Sequence, residues 1–189
     1  LTPAAPNVMG WMWSSEPVTG MHAWEVDLEF HIGGSDLRGA GGGLAFWFAS
    51  HQGRTGPIYG HDDTYEGLGI FFDTFQNLDH SHHHKHPYIY AMVNDGTKGY
   101  IPDAETSGDV SKQALPGQHD NSGCSYEFRY HEARHDVSVL NHTRVHVYYK
   151  DKTLTLRLQQ TSLGEKREWH DCFEMKDVSL PSNLYFGIS

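Results

Sequence analysis

The chain is short of cysteine, of basic residues and of long apolar runs. Its 189 residues include two cysteines, Cys124 and Cys172. Two thiols cannot build a four-cysteine metal site, and their separation is too great for a redox CxxC pair. They leave open one disulfide or two buried free thiols. Fourteen Lys and Arg stand against 24 Asp and Glu, a formal net charge of -10. That balance opposes non-specific binding to phosphate backbones or anionic membrane surfaces, which needs clustered cations, so a nucleic-acid partner is not expected. No apolar run approaches the roughly 20 residues that span a bilayer. The chain opens with LTPAAPN rather than a charged and apolar leader, as expected of a processed protein or a segment of a longer one. Sustained helical periodicity is missing as well.

What is present is punctuation and alternation. Twenty glycines and eight prolines divide short apolar stretches, an all-β pattern that fits one domain over residues 1–189. Trp24, Val26, Leu28 and Phe30 alternate with Glu25, Asp27 and Glu29, predicting a strand with one apolar and one acidic face. GGGLAFWFAS at 41–50 and GLGIFFDTF at 67–75 are almost continuously apolar, as in strands covered on both faces. VHVYYKDKTLTLRL at 145–158 reads as two strands around a turn near Lys150-Asp151-Lys152, with Leu154, Leu156 and Leu158 on one face. Two stacked antiparallel sheets would bury these faces. Residues 96–123 read as a long, loop-rich excursion.

Chemistry concentrates at FFDTFQNLDHSHHHKHP, residues 71–87. Asp73, Phe75 and Asn77 occupy i, i+2 and i+4 where an apolar strand runs into a polar loop. Such positions lie about 6.5 to 7 Å apart in an extended chain. Some curling would gather the Asp and Asn side chains and the Phe75 carbonyl around one ion, an all-oxygen set suited to Ca2+. The other reading is a strand-ending turn whose Asp and Asn bond to nearby backbone. His80, His82, His83, His84 and His86 follow. Consecutive loop histidines read better as a solvated segment that gains charge below about pH 6.5, and so weakens a neighbouring Ca2+ site, than as a transition-metal centre. Glu25-x-Asp27-x-Glu29 admits a glycoside hydrolase reading, since retaining hydrolysis needs carboxyls about 5 to 5.5 Å apart; a solvated outer face is the simpler one. Asn141-His142-Thr143 is a glycosylation sequon just before a strand, in an expected exposed place, and with an even cysteine count it favours a lumenal or extracellular home. Trp11, Trp13, Trp24, Trp47 and Trp169 read mainly as packing residues.

The ordered blocks GGGLAFWFAS, GPIYGHDDTYEGLGIFFDTFQN and YAMVNDGT, with WEVDLEFHI before them and EMKDVSLPSNLYFGIS at the end, resemble the L-type (leguminous-type) lectin domains. The likeness runs from about Trp13 to Ser189 and is greatest to the membrane-anchored cargo lectins that cycle between endoplasmic reticulum and Golgi. It implies a concanavalin-like jelly-roll sandwich of two antiparallel sheets, with the family's first strand, closing segment and membrane anchor outside residues 1–189. It implies Ca2+ held by Asp73, the Phe75 carbonyl, Asn77 and a later carboxylate, for which SGDVSKQAL nominates Asp109. It also implies a Cys124–Cys172 bridge, which would close a loop worth about 4 kcal/mol in a chain-entropy estimate. Plant members of the family hold a second metal with a Glu at the position of Phe71, so that ligand is missing. The sugar positions fall on Asn77, on Gly42 where the family carries Asp, and near Thr106 where the cargo lectins carry His; no carboxylate occurs between Asp36 and Asp62 to replace the lost one. The implied partners are high-mannose N-glycans on glycoproteins in the secretory lumen. With Gly42 in place of Asp, the alternative is a sugar-silent module that contacts a protein partner or a second copy of itself.

Overall fold

Trp24 shows how the fold begins: its ring stacks on Tyr149, with centroids 5.6 Å apart, and meets Phe46, Phe48 and Phe186 from the opposite sheet. The structure, a computed structural model, describes residues 1–3, 5, 7–34, 42–53, 55–74, 85–99, 122–131 and 140–189. Among these the strands are β1 (Met12–Trp13), β2 (Val18–Thr19), β3 (Ala23–Phe30), β4 (Ile32–Gly34), β5 (Gly43–Ala49), β6 (Glu66–Asp73), β7 (Tyr88–Asp95), β8 (Gly123–Ser125), β9 (Arg129–His131), β10 (His142–Lys150), β11 (Thr153–Ser162), β12 (Glu165–Lys166), β13 (His170–Met175) and β14 (Asn183–Ile188). One sheet runs β1-β14-β5-β6-β7-β8 with β2 beside β14, and the facing sheet runs β12-β11-β10-β3 with β13 beside β11. Both are antiparallel.

The period-2 pattern explains the packing. Val145, Val147 and Tyr149 on β10 and Leu154, Leu156 and Leu158 on β11 point inward and are buried. Phe46 and Phe48 on β5, Leu68, Ile70 and Phe72 on β6, and Ile89, Ala91 and Val93 on β7 oppose them in one core. The β10–β11 turn has two residues of positive φ, Asp151 at 49° and Lys152 at 62°. A two-residue turn of that hand matches the right-handed twist of the flanking strands. Each strand of this hairpin extends beyond the expected 145–158.

β5 and β6 are covered on both sides, as their continuous apolar character predicts. Ala45, Trp47 and Phe71 face away from the main core into a second cluster with Tyr65, Tyr88, Tyr90 and Met92. Part of the cover comes from the 50–65 connection, which folds back over Trp47 and Phe71. One element departs from the expected pair of antiparallel sheets: β4 pairs with β9 in parallel. His31 separates β3 from β4; its Nδ1 lies 2.6 Å from the Asn141 carbonyl and its ring stacks on Tyr130. The chain thereby leaves the β3–β10 ladder and runs beside Arg129–His131.

Candidate functional site

The apolar run of β6 ends at Asp73, flanked by Gly43 on β5 and Tyr88 on β7 in register. Gly43 is obligatory there. Its φ is +129°, and a Cβ would lie 2.0 Å from the Phe72 carbonyl oxygen, so any side chain would collide with the strand that carries Asp73. Gly42, next along, is different. It is exposed, and a Cβ there would meet nothing nearer than a Tyr59 ring carbon at 4.0 Å. Its carbonyl accepts the Tyr59 hydroxyl at 3.0 Å and the Thr74 N–H at 3.3 Å. The backbone beside Asp73 is thus pinned from two sides while the side-chain space at Gly42 stays open.

The Asp73 side chain is 20% exposed, and Nε2 of the nearly buried His86 lies 3.3 Å from its Oδ2. The solvated segment expected of the histidines does not hold for His86. It directly precedes Pro87 and β7, the strand beside β6, and that position carries it back against the sheet. Tyr88, two residues on, is the register partner of Asp73, so the approach follows from the pairing of β6 with β7, which no local pattern in the sequence announces. His80, His82, His83 and His84 lie outside the described residues, as do Phe75, Asn77, Thr106 and Asp109. Of the expected metal ligands the described residues contain Asp73, a hard oxygen donor at a strand end of the kind Ca2+ takes. Of the expected sugar positions they contain Gly42. Phe71, at the second-metal position, is fully buried against Trp47 and Tyr90, a hydrocarbon contact with no donor.

The remaining candidates fall elsewhere. Cys124 on β8 and Cys172 on β13 are joined by a disulfide, which ties one sheet to the other. Asn141 is not in the exposed place expected for a glycan. It is 1% exposed, because its Oδ1 accepts the Leu163 N–H at 2.6 Å and so closes the turn between β11 and β12. Glu25, Asp27 and Glu29 lie on the outer face of β3, opposite β10. Arg144 Nη2 meets Asp27 Oδ2 at 2.7 Å, His146 Nδ1 meets Asp27 Oδ1 at 3.0 Å, and His142 lies 3.6 Å from Glu29. The hydrogen bond from Arg144 holds the Asp27 carboxyl below its ordinary range, the opposite of what a general acid needs. Trp24 and Trp47 are core residues, Trp13 packs beside the second cluster, and Trp11 and Trp169 are exposed. Trp169 lies beneath the guanidinium groups of Arg144 and Arg157.

Two facing antiparallel sheets thus form a β-sandwich whose strand β6 ends at Asp73 beside Gly43. The chain belongs to the legume-like lectin family, which matches over residues 1–189. It is 33% identical over 190 residues to a VIP36-like protein of Mus musculus, covering 100% of this chain and 48% of that protein. It is 33% identical to the vesicular integral-membrane protein VIP36 of the same species, covering 47% of it. The chain thus spans about half the length of the curated relatives it matches. In structure it is similar to the VIP36 exoplasmic/lumenal domain solved in a Ca2+/Man3GlcNAc-bound form, with a TM-score of 0.76 and 28% identity over 100% of this chain and 70% of that one. The family is one of lectins, not of enzymes, so the hydrolase reading of Glu25, Asp27 and Glu29 is set aside.

Proposed function

We propose that this chain is the calcium-dependent, high-mannose-binding domain of a cargo lectin in the early secretory pathway. The observation that carries the reading is the Asp73 carboxylate at the end of β6, beside the open Gly42 position, in a chain that aligns along its whole length with a VIP36 domain solved with Ca2+ and a mannose-containing glycan. Asp73, with the Phe75 carbonyl, Asn77 and Asp109, would hold Ca2+ through oxygen alone. The ion would fix the crest, and Asn77 would present its amide to a sugar hydroxyl, with Gly42 and Thr106 lining the same site. Glycoproteins bearing high-mannose N-glycans are the proposed partners, and the lumen of the endoplasmic reticulum or Golgi the proposed location. The Cys124–Cys172 disulfide suits such an oxidising compartment.

A second reading rests on Gly42 itself. An ionised acceptor for two sugar hydroxyls is worth about 1.5 to 3 kcal/mol per charged hydrogen bond, and Gly42 supplies none. A sugar-silent module that keeps Ca2+ and binds protein follows from that loss. Calorimetric titration of a high-mannose glycan, with Ca2+ and then with chelator, separates the two. Calcium-dependent heat that disappears in Asp73→Asn supports the lectin. Calcium uptake without glycan heat, in folded protein, moves the assignment to the module.

A further inference from the structure

The 50–65 connection carries a second cluster of metal-binding side chains, well away from Asp73. His51, His61 and Asp62 each offer one ligand atom, and these atoms lie within 4.8 Å of one another. His51 Nε2 and Asp62 Oδ2 are 3.4 Å apart. Tetrahedral coordination at about 2.0 to 2.1 Å sets neighbouring donors about 3.3 to 3.5 Å apart, so this pair already has the spacing, and a small closure would bring in the third donor. His61 stacks on Trp47, which pairs with Gly69. Asp73 is four residues further along β6, roughly 13 Å at 3.3 Å per residue.

His61 is held as a ligand must be held. It is fully buried, packed on Trp47 with ring centroids 4.6 Å apart and flanked by Trp13 and Tyr65. Reciprocal backbone hydrogen bonds join it to Ile58. The loop is shaped around it: a Cβ at Gly53 would lie 2.4 Å from the His61 ring, and one at Gly56 would lie 2.2 Å from its carbonyl oxygen. In the tautomer that donates Nε2–H to the His51 carbonyl at 3.2 Å, the buried Nδ1 keeps a lone pair with no hydrogen-bond partner among the described residues; in the other tautomer Nε2 carries the lone pair. His51 and Asp62 are about half exposed, leaving a solvent side for entry of an ion and for a water ligand.

We propose that His51, His61 and Asp62 bind a single divalent transition-metal ion of the zinc type. Two imidazoles and one carboxylate with an open fourth position suit Zn2+ and its substitute Co2+, whereas the all-oxygen crest suits Ca2+. The ion would clamp the loop that covers the second core and carries Tyr59, whose hydroxyl holds the Gly42 carbonyl.

Zn2+ binding and the visible spectrum of bound Co2+ test this in the full chain, with His80, His82, His83 and His84 replaced by Gln to remove the competing histidine source. The expected result is one Zn2+ per chain and tetrahedral Co2+ bands. His51→Asn and Asp62→Asn, at exposed positions that leave the fold intact, should each weaken binding about tenfold or more. The proposal is overturned if the four-Gln protein binds no metal. It is equally overturned if its affinity is unchanged by both His51→Asn and Asp62→Asn, since the metal then sits elsewhere.

Discussion

Asp27 and Asp73 are the same residue type on strands of the same sandwich, and their neighbours give them opposite prospects. Across β10, Asp27 meets Arg144 and His146 and is neutralised at an exposed sheet face. Asp73 has Gly43 on one side and Tyr88 on the other, and Nε2 of His86 lies 3.3 Å from its Oδ2. A carboxylate already satisfied by a guanidinium has little to offer a cation or a sugar. One at a strand end beside Gly42 has open side-chain space next to it. What a carboxylate can do is therefore set by the residues facing it across the sheet, not by the spacing of acids along the strand.

The strongest way to break this contrast is to fill the glycine gap. Gly43→Ala should lower stability by about 3 kcal/mol or more, through positive-φ strain and collision with Phe72, and should abolish calcium uptake. Denaturant melts and calcium titration would read both. Gly42→Asp uses the open space instead. It should leave stability within about 0.5 kcal/mol and raise high-mannose affinity about tenfold to a hundredfold by restoring a charged acceptor; calorimetry with no gain would mean that the Asp73 end lacks the sugar geometry assigned to it. On the other face, Arg144→Ala should change the denaturation midpoint only slightly, because exposed ion pairs contribute little, and should leave calcium affinity untouched.

The smallest effect is in pH. The Asp27 carboxyl is held below its ordinary value by Arg144, so its contribution is fully present above about pH 4. It is lost as pH falls through the lowered folded-state value. The acid limb of a stability curve should be slightly shallower in Arg144→Ala than in the parent.

Much of the sandwich is legible in the chain. Trp24 to Phe30, and Leu154, Leu156 and Leu158, alternate because a pleated strand sends successive side chains to opposite faces. The unbroken apolar character of β5 and β6 announced cover on both sides. Asp73 was legible as the polar end of an apolar strand, and Gly42 as a missing carboxylate. The approach of His86 to Asp73 was not, since it depends on which strand returns beside β6. Nor was the burial of Asn141: a sequon read as exposed instead closes the turn at Leu163 from 22 residues away. His61 lies in a connection with no strand periodicity, and only the folding of 50–65 over Trp47 brings it to His51 and Asp62.

By itself, then, the sequence determined the all-β class, the faces of its longer strands and the hard-oxygen character of the Asp73 strand end, because these follow from local periodicity and residue chemistry. Pairing decided the rest. The register of β5 against β6 makes Gly43 obligatory and leaves Gly42 open, β10 neutralises Asp27, the disulfide ties β8 to β13, and the 50–65 loop gathers two histidines and an aspartate. Each of these is a contact between residues distant along the chain or folded back upon it, which no local pattern encodes.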